Sequence, residues 1–115
     1  MSWPGASAGA DAAPLILPCG RVLALPAVYD VLSASDRRLV RNEYVARQGG
    51  LCQHCGAPLD GRPSGEIMSM PVDRRLFPAS FFKWPVHLHH SHVTGLTIGA
   101  VHNRCNAVLW QYHGE

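Results

Sequence analysis

Two pairs of metal-ligand residues, some fifty positions apart, constrain this chain more than anything else in it. Cys52-Gln53-His54-Cys55, closed by Gly56, is the first; His102-Asn103-Arg104-Cys105 is the second. Zinc takes four soft or borderline ligands at tetrahedral corners, and two such pairs supply them. A Cys-x-x-Cys closed by glycine has the shape of a zinc knuckle, a tight turn whose amides point at both sulfurs. Zinc there would staple the two ends of a long excursion, and a chain of 115 residues needs one. A domain this size buries only about two-thirds of its unfolded surface, and residues 1–14 and 60–65 offer little core material. The competing readings are three unrelated cysteines, or a Cys52–Cys55 disulfide, which would be a strained, redox-type bridge. Cys19 is left over and is expected to be an ordinary buried residue.

Residues 1–14, rich in Ala, Gly, Ser and Pro, read as a flexible tail, leaving 15–115 as a single domain. The start has no basic region, and Leu15-Ile16-Leu17 is its longest early apolar run, so a signal peptide is not expected. No stretch reaches membrane-spanning length. These features favour a reducing cytoplasm, where cysteines are more often metal ligands than disulfides.

Cys19–Tyr29 reads as a short apolar strand broken by Pro26. Ser33-x-x-Asp36 is a capping-box pattern ahead of a helix that Gly49-Gly50 ends. Residues 57–85 hold several prolines and no sustained period, and read as irregular. Val86–His92, a turn at Val93-Thr94-Gly95, and Leu96–His102 predict a β-hairpin. A helix is expected to follow over Asn103–Tyr112, with Val108, Leu109 and Tyr112 on its core side. The fold class implied is α+β.

The net charge is only +2, which permits nucleic-acid binding without arguing for it. Arg37, Arg38, Arg41 and Arg47 cluster in one segment; a solvated helix face and a phosphate-binding face explain them equally. Val86-His87-Leu88-His89-His90-Ser91-His92 carries four of the seven histidines. Four imidazoles together are hard to explain by packing, because each brings nitrogens that must be satisfied. Neutral imidazole is a common metal ligand and a base near neutral pH, with a usual pKa of about 6.5. Neighbours on a regular strand point to opposite faces, so His89 and His90 are expected to divide the labour. A histidine-rich metal-storage patch is the rival reading.

Together these residues resemble the recombination endonuclease VII family of phages, within the HNH (ββα-metal, His-Me finger) nucleases. The resemblance rests on Gln48-Gly49-Gly50-Leu51-Cys52-x-x-Cys55, on His89-His90-Ser91-His92-Val93-Thr94-Gly95, and on Gly99 through Asn106. It covers residues 44–112 and implies a zinc-stapled ββα-metal domain. It further implies a DNA endonuclease, nicking or cutting both strands, that acts on the phosphate backbone in a bacterial host's cytoplasm. Carried over by position, His89 and Asn106 hold a catalytic divalent cation, His90 activates the attacking water, and His92 lies near the scissile phosphate. Arg37, Arg38, Arg41 and Arg104 are the candidates for backbone contacts. The long helical extension that junction-resolving relatives use to dimerise is not evident, so a general endonuclease is expected; monomer and homodimer both stay open.

The departures from the family pattern are informative. His89 stands where the family has a carboxylate, which predicts a preference for Mn²⁺ or Ni²⁺ over Mg²⁺, a cation that favours hard oxygen ligands. Ser91 replaces a second aspartate and Ile98 an arginine, and both changes predict a weaker hold on phosphate or metal. His102 replaces a cysteine, which zinc tolerates. The alternative is a zinc-stabilised nucleic-acid-binding or phage assembly module without catalysis, which would need the tetrad but nothing of His90.

Overall fold

Ser33 starts the longest element as the capping pattern predicts. Its Oγ accepts the Asp36 amide at 3.1 Å and opens helix α1, Ala34–Arg47, a contact worth about 1 kcal/mol. A computed structural model describes residues 13–114. The element order is β1 (Leu15–Ile16), β2 (Val22–Leu23), α1, α2 (Gly65–Met68), β3 (Val86–His90), β4 (Thr97–His102) and α3 (Asn103–His113). Single 3-10 turns lie at Tyr29–Val31 and Ala79–Phe82. The fold is α+β with two small antiparallel sheets, β1-β2 and β3-β4. Among the described residues no helix is long and apolar enough to cross a membrane.

The N-terminal region differs from the expected strand over Cys19–Tyr29. Leu15–Ile16 and Val22–Leu23 pair as a hairpin, and Pro18-Cys19-Gly20 forms its turn. Cys19 is therefore exposed rather than buried. Arg21 leaves this hairpin to grip both oxygens of the buried Asp36 carboxylate, at 2.8 and 2.7 Å, which ties the hairpin to α1. The tail reading over 1–14 lies outside the described residues except for Ala13 and Pro14. Their carbonyls accept hydrogen bonds from Arg47, which also pairs with Glu43.

The β3-β4 hairpin carries the architecture. Val86 pairs with His102, Leu88 with Ala100 and His89 with Gly99, after which the register shifts so that His90 faces Thr97. Ser91 closes the turn: its hydroxyl accepts the amides of Val93 and Thr94, and its carbonyl accepts Gly95 N–H. Gly95 sits at a φ of 77°, which favours glycine. The stretch 27–29 docks beside this turn. Thr97 N–H donates to Ala27, Tyr29 N–H donates to Gly95, and the buried Thr97 hydroxyl meets Ala27 N–H and Tyr44 OH.

The core gathers Val40 and Tyr44 of α1, Ala100 and Val101 of β4, and Cys105 and Val108 of α3. The irregular 57–85 excursion adds Leu59 and Ile67 to it, and Phe77 is also buried. These lone apolar residues have no period, so the sequence conceals them. Outside the sheet, the Gln48 side chain takes the place of a third strand. Its Oε1 accepts Ala100 N–H at 2.8 Å and its Nε2 donates to Ala100 O at 2.9 Å. Gly99 leaves room for this: a Cβ there would lie 2.8 Å from Gln48 Oε1 and 3.0 Å from Gln53 Cβ. Gly99→Ala is expected to cost about 1–3 kcal/mol, read as a lower urea midpoint of the zinc-loaded protein. An unchanged midpoint would mean that Gln48 does not hold this edge.

Candidate active site and metal centre

Cys52, Cys55, His102 and Cys105 converge, with their ligand atoms all within 4.8 Å of one another. The turn ending at Gly56 aims the His54 and Cys55 amides at Cys52 Sγ, at 3.4 and 3.5 Å. His102, the last residue of β4, and Cys105, in the first turn of α3, come from the other side. His102 Nδ1 lies 3.6 Å from both Cys55 Sγ and Cys105 Sγ. A zinc about 2.3 Å from sulfur and about 2.0 Å from nitrogen sets a tetrahedral edge of about 3.5 Å between those atoms. The four residues therefore fit zinc.

A partner invisible in the spacing completes the centre. His102 Nε2 lies 2.8 Å from the Pro58 carbonyl, which can only accept, so Nε2 carries the proton and Nδ1 turns its lone pair to the sulfurs. A hydrogen bond from Cys105 pulls the Cys52 thiol down to about 4, and Cys105 is pushed up in return. The two buried sulfurs are thus hydrogen-bonded to one another, and metal binding would release their protons.

The histidines of β3 divide into different surroundings. His89 is buried, whereas His90 is half-buried and stacks on Tyr29 with ring centroids 3.7 Å apart and planes 8° from parallel. His92 follows at 4.5 Å from His90, and Trp110 of α3 lies 3.6 Å beyond His92. The Arg37 guanidinium covers the other end, 3.9 Å from the Tyr29 ring centre. Five side chains thus form one column, with His90 in its middle. Burial, then His92, then His89 hold His90 below the usual histidine value, so it is neutral at pH 7.

Asn106, in the first turns of α3, meets β3 through His87. Its Nδ2 lies 3.1 Å from His87 Nδ1. Burial above all lowers the His87 pKa, against opposing backbone hydrogen bonds to Phe81 and Trp84. The Asn106 amide turns its nitrogen toward this ring, whose Nδ1 accepts when the neutral imidazole carries its proton on Nε2. Asn106 Oδ1 is left buried with no hydrogen-bond partner among the described residues. An orphaned buried acceptor costs about 1–3 kcal/mol, so it marks either strain or a missing ligand.

The remaining residues singled out from the sequence fall into place around this cluster. Arg37, Arg38 and Arg41 line one cleft with His87. Arg104 does not join them; its guanidinium donates to the carbonyls of Ile67, Met68 and Met70, and so fastens α2 to α3. The Ser91 hydroxyl is engaged by its own turn, where it accepts the Val93 and Thr94 amides. Ile98 lies beside Tyr44, Arg47, Gln48 and Gln53, against α1 and the knuckle. Tyr29, Trp110 and the role of His87 escaped the sequence reading. An aromatic at a turn gives no sign of what it will cover.

No family model matches this chain, and no curated protein and no solved structure matches it either.

Proposed function

We propose that the protein is a metal-dependent DNA endonuclease of the ββα-metal type, with a structural zinc at the Cys52, Cys55, His102, Cys105 tetrad. The observation that carries this reading is the buried, unpartnered Oδ1 of Asn106 beside a strand of histidines. A carbonyl oxygen and an imidazole suit a divalent cation, and His89 lies two residues along β3 from the histidine that orients Asn106. A binding module without catalysis gives no account of that oxygen.

His90, neutral at working pH, takes a proton from the water that attacks phosphorus in line; the opposite P–O bond breaks, and the leaving oxygen takes its proton from solvent. Tyr29, stacked against the ring, holds its orientation while the proton moves. His92 donates to a phosphate oxygen. His89 and Asn106 would hold a divalent cation, which would supply neutralisation of the negative charge that develops at the phosphate. Arg37, Arg38 and Arg41 draw in the phosphate backbone, which makes binding salt-sensitive and largely independent of sequence.

The test is nicking of supercoiled plasmid and of single-stranded circular DNA by the zinc-loaded protein across a series of added divalent ions. Nicking is expected, and faster in Mn²⁺ or Ni²⁺ than in Mg²⁺ because His89 brings nitrogen rather than oxygen. Asn106→Ala should demand a higher ion concentration for the same rate. A parent that nicks in no ion overturns the endonuclease reading; equal or faster nicking in Mg²⁺ overturns the place given to His89.

A further inference from the structure

We propose that the cleft between α1 and the Phe81–Leu88 stretch is a seat for an unpaired strand of DNA. In it, Arg38 and Arg41 take phosphates and the Trp84 indole stacks on a base. This deepens the endonuclease reading, on which it rests, by naming the substrate class.

The cleft has a volume of about 720 Å³, within the roughly 300–1,000 Å³ that encloses a small organic ligand. That is room for a nucleotide or two, not for a duplex. Three arginines line it and no carboxylate does. Elsewhere among the described residues Arg21, Arg47 and Arg75 each pair with an acid. Arg37 instead donates to the Tyr29 carbonyl and has a buried Nε with no partner. Among the residues that line it, the wall thus offers positive charge with no carboxylate to offset it, which attracts a polyanion.

The opposite wall is aromatic. Trp84 is 61% exposed, yet its backbone is clamped: Asn103 Nδ2 donates to the Phe82 and Trp84 carbonyls, and Asn103 N–H donates to the Pro85 carbonyl. The Lys83 ammonium lies 5.3 Å from the ring centre, and a large, mostly exposed indole on a pinned backbone is a stacking platform for a base. A duplex keeps its base faces stacked inside and offers such a ring only sugar, phosphate and groove edges. An unpaired strand offers both a backbone for the arginines and a face for the indole, the pairing that single-strand binders use. The cleft also leads to the proposed chemistry. Its lining includes His87, which meets Asn106, and Tyr29, which stacks on His90.

The experiment measures binding of a labelled thymidine dodecamer, alone and as its duplex, to the zinc-loaded full chain carrying His90→Ala, with no other metal added. The single strand is expected to bind about tenfold or more tightly than the duplex. Adding Trp84→Ala should weaken single-strand binding about fivefold or more while sparing the duplex, and Trp84→Phe should restore it. Arg38→Gln with Arg41→Gln should flatten the salt dependence of single-strand binding by about 1.4 in log–log slope. A duplex bound as tightly as the single strand overturns the proposal, and so does a Trp84→Ala protein that binds like its parent. Failure here in a chain that nicks leaves the endonuclease reading standing; single-strand binding without nicking in any ion does the reverse.

Discussion

Removing zinc is expected to unfold the domain, not merely to inactivate it. The tetrad joins the knuckle after α1 to the point where β4 ends and α3 begins, and its sulfurs sit in the core: Cys105 has no exposed surface, and Cys52 is 3% exposed. Zinc binding by such sites is worth about 10–16 kcal/mol in small peptides near neutral pH, against about 5–15 kcal/mol for the whole stability of an ordinary domain. Loss of the metal also leaves the buried sulfurs and imidazole without the ion that would hold them together, and releases the 57–85 excursion at both ends. A strong chelator, or Cys105→Ser, should therefore abolish the cooperative thermal transition and collapse the far-ultraviolet circular dichroism. One zinc per chain should be released as this happens. A chain that keeps its transition after its zinc has been counted out would show that the four residues do not form a structural site.

His90→Ala is expected to lower nicking by about 10²–10⁴-fold while the fold persists, since that is what a positioned general base contributes. The ring is half-buried at the end of β3 and is not one of the residues of the buried core cluster. Losing its stack on Tyr29 should cost about 1 kcal/mol, too little to unfold a metal-stapled domain. Zinc content and the thermal midpoint of the variant separate lost chemistry from lost structure. A His90→Ala protein that nicks like its parent sinks the assignment of the base, and the water would need another acceptor.

What the sequence revealed was whatever depends on short spacing. The two x-x pairs, the Ser33–Asp36 cap, the hairpin and the last helix each follow from residues within a turn or two of one another. Their counterparts in the structure lie where the pattern put them, except that Tyr112, expected on the core side of the last helix, is exposed and donates its hydroxyl to the Pro71 carbonyl. What stayed hidden needed the chain to return on itself. Tyr29 reaches His90 only because residues 27–29 dock along the hairpin turn. His87 orients Asn106 only because α3 folds back across β3. Arg104 reads as a free cation until the excursion offers it three carbonyls, and Leu59 and Ile67 read as loop until the core is built around them. Even the fate of Cys19 turns on a short hairpin whose strands are too brief to leave a pattern.

The Gln48 side chain has one more consequence. A two-stranded ribbon ordinarily leaves both borders available to any extended peptide that drifts past, and such borders invite aggregation. On β4 the N–H and C=O of Ala100 are already satisfied by the Gln48 amide, and the Gln53 backbone N–H adds a second donor to that carbonyl. A single glutamine from the end of a helix thus does what a neighbouring strand would do without offering a further border of its own. The ribbon stops there, and the chain gains a built-in guard against stacking with its own copies.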